Sequence, residues 1–258
     1  MKFSDSFWGI RCVWLRYFDV FRKSLPYYAV TTFGEPILYL LSFGLGVGSL
    51  VGKLHANGVS LTYRQFIFAG IIGQTVLFQG FFEASYGAFV RMYYQRIFQA
   101  MATTPVTLSE VLWGELLWDS SKATLAAEIV ILIGVVTHDF PVVSLLTAFP
   151  LCFFSSFLFS AIGLATAASS KTIDSISYPQ YILVFPMFLF CGVFYPIDVL
   201  PKALRVVAWC LPLTSVNSLA RTLTLGLPFQ WWALPVLAIW TIGVGALSRK
   251  LMMRRLVK

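Results

Sequence analysis

The sequence predicts an all-α polytopic membrane protein: six transmembrane helices, an N-terminal amphipathic interface helix and a re-entrant helical hairpin before the last span. Three observations carry this. Hydrophobic residues make up 58% of the 258 and charged residues 12%, with mean hydropathy +0.79, whereas a soluble domain carries roughly 25% charged residues to solvate its surface. No Asp, Glu, Lys or Arg occurs in 36–52, 65–82, 140–170, 175–197 or 222–248, and a helix needs about 20 apolar residues to cross the hydrocarbon core. A further stretch, 111–136, is apolar but interrupted by Glu115, Asp119, Lys122 and Glu128. Backbone polar groups in lipid must be satisfied within the segment, which selects helices. The expected spans are about 27–50, 66–89, 111–136, 142–168, 177–195 and 231–248, within a single transmembrane domain, 1–258.

The formal charge of +8 follows the same pattern. Six spans place both termini on one side, with Lys2, Arg11, Arg16, Arg22, Lys23, Arg91, Arg96, Lys171, Arg249, Lys250, Arg254, Arg255 and Lys258. The other side holds only Lys53, Arg64, Lys202, Arg205 and Arg221. The positive-inside rule then makes both termini cytoplasmic. The basic excess reads as topology, so no nucleic-acid partner is expected.

Residues 1–25 lack the uninterrupted apolar region of a signal peptide. Phe7, Ile10, Trp14, Tyr17, Phe18, Phe21 and Leu25 recur at helical spacing opposite Arg11, Asp19, Arg22 and Lys23. Such a helix lies in the membrane interface or packs against the bundle. In the first span, Glu35 precedes Pro36; an intramembrane carboxylate lines a polar path, or reaches water if it sits near the span's end. Residues 91–106 read as a cytoplasmic loop, with a short helix over 91–102 ending before Thr104-Pro105. That geometry suits transmission of movement from a partner; an ordinary solvated connection accounts for the same residues. Thr107 and Glu110 have capping-box spacing and start the third span. There Glu115, Asp119 and Lys122 share one helical face, which must avoid lipid and either forms ion pairs or lines a polar entrance.

The stretch "CGVFYPIDVLPKALRVVAWCLP" (191–212) is nearly apolar yet holds three prolines, Pro196, Pro201 and Pro212. The fifth span ends near Tyr195-Pro196, because proline cannot continue the helix. Asp198 is placed to cap a new helix whose apolar face is Leu200, Leu204, Val207, Ala208 and Leu211. Pro212 ends it. A second helix puts Val216, Leu219, Ala220 and Leu223 on one face, Asn217, Arg221 and Thr224 on the other, and Gly226 at its stop. Each is too short to span, so 196–226 reads as an extracytoplasmic re-entrant hairpin.

Other sites are weakly signalled. "GLGVGSLVGKL" (44–54) fails as a phosphate-cradling loop, with Val47 where the first glycine belongs and Leu54 where a hydroxyl is needed. His55 and His138 fall in expected outer loops without ligand spacing, and Cys12, Cys152, Cys191 and Cys210 show no CxxC. Neither disulfide, metal nor catalytic residue is expected; the aromatics, such as Trp231-Trp232, read as interface anchors.

The interface helix, six spans, helical loop and "CGVFYPIDVLPKALRVVAWCLPLTSVNSLARTLTLG" together resemble the type-2 ABC exporter permease family. Within it, "EPILYLLSFGLGVGSLVG" (35–52), "FEASYGAFVRMYYQR" (82–96) and "GELLWDSSKA" (114–123) resemble permeases of nodulation-factor exporters, which move lipo-chitooligosaccharides. The likeness covers nearly the whole chain, and its "FYPIDVLP…LPLT" element is the most specific part. The resemblance implies a permease in the bacterial inner membrane that pairs with a second copy, has a substrate path at their interface, and moves an amphipathic substrate. It implies an ABC ATPase as a separate polypeptide holding ATP and Mg, docked through Tyr94, Gln95, Arg96, Phe98, Gln99 and Met101, with no cofactor on this chain. Tyr195, Pro196, Asp198, Pro201, Pro212, Asn217 and Arg221 then belong to the outer gate. A drug or haem-related exporter of the same family is an alternative. So is a proton-coupled transporter using Glu35, Glu83 and the third-span charges, and, third, an integral-membrane transferase.

Overall fold

The computed structural model describes residues 3–49, 53–56 and 59–256, and these are mostly helical. Helix α1 (Phe3–Lys23) docks on the bundle through Val13, Tyr17 and Phe21, which are spaced by four and buried. The expected apolar face is therefore divided. Phe7 and Phe18 remain exposed, as does Leu25 at the start of the next helix. Helix α2 (Leu25–Tyr39) contains Pro36 and passes into a π-helical turn, Leu40–Gly46. A proline removes one ladder donor and clashes with the preceding turn, so such a segment does not stay straight.

Two short antiparallel strands follow, β1 (Lys53–Ala56) and β2 (Val59–Thr62), with Lys53 opposite Thr62. They correct the all-α expectation and put His55 on a strand rather than in a loop. The signal was legible: Asn57-Gly58 between the strands is a strong hairpin dipeptide. Residues 50–52, which include the expected end of the first span and part of the rejected phosphate loop, lie outside the described residues.

Helix α3 (Tyr63–Phe82) starts at a capping box, Thr62 N–H donating to Gln65 Oε1 (3.3 Å) and Gln65 N–H to Thr62 Oγ1 (3.4 Å). It continues through π turns Glu83–Gly87 and Val90–Tyr94, giving one 32-residue rod from Tyr63 to Tyr94. Most of it is buried, packed against α5 (Leu108–Val136), α6 (Ser144–Ser169) and α10 (Pro212–Leu225). Residues 91–94 thus belong to this rod. The expected loop helix starts only after Arg96, whose left-handed φ of 52° turns the chain, and is the six-residue α4 (Ile97–Ala102). The capping box that opens α5 is as expected, with Thr107 N–H donating to Glu110 Oε2 at 2.6 Å. Beyond α6, the fifth apolar run is fragmented into α7 (Ser177–Pro179), a π turn (Gln180–Val184) and α8 (Phe185–Phe190).

Helix α9 (Lys202–Cys210) meets α10 at an 81° bend, with Pro212 in the first turn of α10 and Gly226 (φ 68°) at its end. Asp198 does not cap α9. It sits in a separate short turn, Ile197–Val199, and α9 begins after Pro201. The apolar face expected on α9 is only partly covered: Leu200 and Ala208 are buried, Leu204 and Val207 exposed. On α10 the correction runs the other way, because Asn217, Arg221 and Thr224 are buried together with Val216, Leu219 and Ala220. This helix is enclosed by α3, α6 and α11 (Ala233–Leu256) and does not float on one face.

Three helices among the described residues are long and apolar enough to cross a membrane, Tyr63–Tyr94, Ser144–Ser169 and Ala233–Leu256, and the bent α9–α10 pair would be a fourth. Of the other expected spans, α2 contains Glu35 and Pro36, α5 carries Glu115, Asp119, Lys122 and Glu128, and the helical stretch over 177–190 is shorter than a span.

The bundle has two ends. At one, Arg255 near the close of α11 donates to the carbonyls of Ala167 (2.8 Å), Ala168 (2.6 Å) and Ser170 at the close of α6. At the other, Arg64 at the start of α3 pairs with Asp139 in the α5–α6 turn (2.8 Å). Close helix approach depends on Gly73 of α3, where an added Cβ would run into Asn217 Oδ1. Gly73→Ala is expected to cost about 1–3 kcal/mol through overpacking and to lower the thermal midpoint in detergent. Gly243→Ala on α11, where nothing lies within 4 Å, is the control and should leave the midpoint level or raised.

Candidate functional site

Three places collect the chemistry-bearing residues. The first lies between α1, α3 and α5. Glu115 and Asp119 of α5 have fully buried side chains, and Lys122 one turn on is nearly so. The guanidinium of Arg91 fills the space they face. Its Nε donates to Glu115 Oε1 at 2.7 Å, its Nη1 to Glu83 Oε1 at 2.9 Å, and its Nη2 to Asp119 Oδ1 at 3.3 Å. Lys122 Nζ donates to Glu83 Oε2 at 2.6 Å. The Arg91 guanidinium also lies 5.2 Å from the Tyr17 ring of α1, and Lys122 Nζ lies 4.3 Å from that of Tyr28.

The α5 face is thus engaged in ion pairs, one of the two readings open from the sequence, and it also borders a cavity, as the other reading requires. Arg91, which the sequence reading places in the 91–106 loop, lies instead on the continuation of α3. Residues eight apart on an unbroken α-helix sit about 80° apart around the axis, so Glu83 and Arg91 would not share a face. The π turn Glu83–Gly87 lies between them and a second begins at Val90, so the helix is re-registered and both side chains meet α5. Three carboxylates against two cations leave one formal negative charge, and Glu115 Oε2 and Asp119 Oδ2 have no hydrogen-bond partner among the described residues. The cluster is not sealed: a cavity of about 420 Å³ borders it, lined by Tyr28, Glu83, Arg91, Gln95, Trp118 and Lys122 among others.

The second place is the turn around α4. Phe98 is fully buried in a core with Phe89, Met92 and Leu112, so it anchors the loop helix and offers no surface to a partner. Tyr94, Gln95, Arg96 and Gln99 are exposed and Met101 half-buried. Beside them a cavity of about 450 Å³ is lined by Met92, Tyr93, Arg96, Gln99, Arg255 and Leu256, with the Arg255 guanidinium 4.9 Å from the Tyr93 ring. Sequence reasoning missed Arg255, since nothing local separates it from its basic neighbours.

The third place is the 191–226 region at the opposite end. Asn217 Nδ2 donates to Cys191 O at 2.9 Å and Arg221 Nη2 to Gly192 O at 2.5 Å, so the polar side of α10 satisfies the turn that ends α8. The Tyr195 hydroxyl closes that turn by donating to Leu189 O at 2.8 Å. Pro212 is buried, Pro196 half-buried and Pro201 exposed. Asp198 approaches Arg205 at only 3.9 Å. Glu35 joins none of these groups; it is half-buried on α2, with no ion-pair partner among the described residues.

Residues 9–225 match the ABC-2 type transporter family. The chain belongs to that family. Nodulation protein J of Rhizobium leguminosarum bv. viciae is 30% identical to this ABC-2 permease over 248 residues, covering 95% of this chain and 94% of the relative. Nodulation protein J of Rhizobium meliloti is 29% identical over 252 residues, 97% and 95% of the two chains. A more distant relative is the inner membrane transport permease YadH of Escherichia coli, 26% identical over 164 residues, 64% of this chain and 62% of the relative. The match covers the ion cluster, the α4 turn and residues 191–225, while Arg255 and Leu256 lie beyond it.

In this ABC-2 permease the charge cluster is the most sensitive of the three places, since removing one partner of a buried ion pair typically costs about 3–5 kcal/mol. Arg91→Met, which strips Glu115 and Asp119 of their shared cation, is expected to destabilise by that amount. The measurement is the thermal midpoint in detergent. Arg96→Ala, in exposed surroundings, should leave it in place.

Proposed function

We propose that this chain is the membrane subunit of an ATP-driven exporter, moving an amphipathic, lipid-linked or glycosylated molecule out of the cytoplasm. The observation that carries this reading is the α4 turn. It displays Tyr94, Gln95, Arg96 and Gln99 above a buried Phe98, directly beside the ion cluster that binds α3 to α5. A push on such a helix is delivered to two long helices at once. The partner is a separate ABC ATPase that holds ATP and Mg; this chain contributes the docking surface and no cofactor.

The same reading puts the chain in the bacterial inner membrane with six spans and both termini cytoplasmic, as one transmembrane domain. The α4 turn and Arg255 lie at one end of the bundle and residues 191–226 at the other, which supports an inner coupling face and an outer re-entrant gate. A second copy of the chain completes the substrate path. Similarity to nodulation protein J along nearly the whole length, with the resemblance to nodulation-factor exporters, favours an amphipathic glycosylated cargo over a drug or haem-related one. The ion pairs that hold Glu83, Asp119 and Lys122 favour a structural role for them over a proton relay.

Co-expression with the ATPase encoded beside it tests the reading. The wild-type chain is expected to capture the ATPase, and Arg96→Glu combined with Tyr94→Ala to reduce capture at least tenfold with an unchanged thermal midpoint. No capture by the wild type, or full capture by the double variant, overturns it. For orientation, Lys202→Cys should react with an impermeant thiol reagent added outside the cell; labelling only from the cytoplasm would reverse the topology.

A further inference from the structure

The cavity of about 450 Å³ beside the α4 turn is walled by Met92, Tyr93, Arg96, Gln99, Arg255 and Leu256. We propose that it binds the phosphodiester of an anionic phospholipid, of the phosphatidylglycerol kind, between Arg96 and Arg255. The inference goes beyond the export reading and rests on it only for placing this end of the bundle in the cytoplasmic leaflet.

Arg255 is the reason to expect a ligand. Its Nη1 is taken by the carbonyls of Ala167 (2.8 Å), Ala168 (2.6 Å) and Ser170. Its guanidinium lies 4.9 Å from the centre of the Tyr93 ring and 5.9 Å from that of Phe89. These contacts fix the planar group before any ligand arrives. The edge formed by Nε and Nη2 makes no hydrogen bond among the described residues, and neither atom is sealed from solvent. Such an edge is the fork that donates to two phosphate oxygens side by side. Arg96 supplies the second cation. It is exposed where the chain turns at φ 52°, and its side chain has no ion pair among the described residues.

The rest of the lining selects the ligand. Among the described residues two arginines and no carboxylate border the cavity, so an anion is favoured. A headgroup carrying an ammonium or choline group finds no acid there to pair with. Gln99 brings a further donor, while Met92 and Leu256 bring apolar surface for the glycerol carbons and the first methylenes of an acyl chain. Depth decides between a lipid and a soluble anion. The carbonyls that hold Arg255 belong to residues 167–170, which close the charge-free run 140–170, and Lys171 follows. Where such a run gives out, the hydrocarbon core ends and the headgroup layer begins, and basic pockets at that level on the cytoplasmic side hold anionic headgroups. Lipid phosphates are present there at a density that no soluble phosphate reaches. One bound phosphodiester would bridge the α4 turn, through Arg96, to the joined ends of α6 and α11, through Arg255.

The test uses the full chain in an uncharged detergent, without ATPase or nucleotide, and counts bound lipid by native mass spectrometry. Phosphatidylglycerol is expected to fill one saturable site. Phosphatidylcholine should not bind there, and inorganic phosphate at equal concentration should not displace the lipid. Arg96→Gln and Arg255→Gln are each expected to weaken binding at least tenfold. Arg96 is exposed, so its variant keeps the thermal midpoint and gives an answer even if Arg255→Gln is unstable. Arg249→Gln, exposed on the same helix as Arg255 but outside the cavity, is the control and should bind as the wild type does. Equal binding of phosphatidylcholine, displacement by inorganic phosphate, unchanged binding in Arg96→Gln, or an equal loss in Arg249→Gln overturns the proposal. So does loss of the lipid once the ATPase is captured, which would assign the cavity to the docking surface. A chain that binds the lipid but captures no ATPase removes only the export reading, and one that captures the ATPase but binds no lipid removes this inference alone.

Discussion

The interaction on which the rest depends is the single guanidinium of Arg91 held among Glu83, Glu115 and Asp119. Charges that deep in a bundle are tolerated only when paired and hydrogen-bonded, so the positions of α3 and α5 are set by the need to bring these groups together. Lys122 completes the set from the same helix as two of the acids. Tyr17 adds α1, whose docking leaves only part of its apolar face available to lipid. The π turns in α3 belong to the same constraint, since a regular helix would aim Glu83 and Arg91 in different directions.

The opposite end is ordered by a different rule. There the turn that closes α8 leaves carbonyls at Cys191 and Gly192 without helical partners, and α10 supplies them through Asn217 and Arg221. Such hydrogen bonds in surroundings without water are hard to replace. This explains why a helix that looks amphipathic is covered on both sides. It also requires α3 to come close, which Gly73 permits.

Helix α3 touches both regions. Its first half carries Phe66 under Arg221 and Gly73 beside Asn217, and its second half carries Glu83 and Arg91. A rod of 32 residues with its two ends tied in this way is suited to relate movement at the α4 turn to the shape of the 191–226 region. In the export scheme proposed above, this rod is the element that connects the proposed docking turn to the proposed outer gate.

The sequence by itself determined the helical membrane class, the inward-facing set Glu115, Asp119 and Lys122, the Thr107–Glu110 cap, the stops at Pro212 and Gly226, and the family resemblance. These follow from local quantities: run length, helical periodicity, and the conformations that proline and glycine allow. The tertiary structure alone decided that Arg91 is a buried partner rather than a loop charge, that Phe98 is an anchor rather than a contact, that Asp198 caps nothing, and that the polar side of α10 is enclosed. Each of these depends on which groups from distant parts of the chain meet. A side chain's helical angle is written in its own neighbourhood, but its partner across a bundle is not.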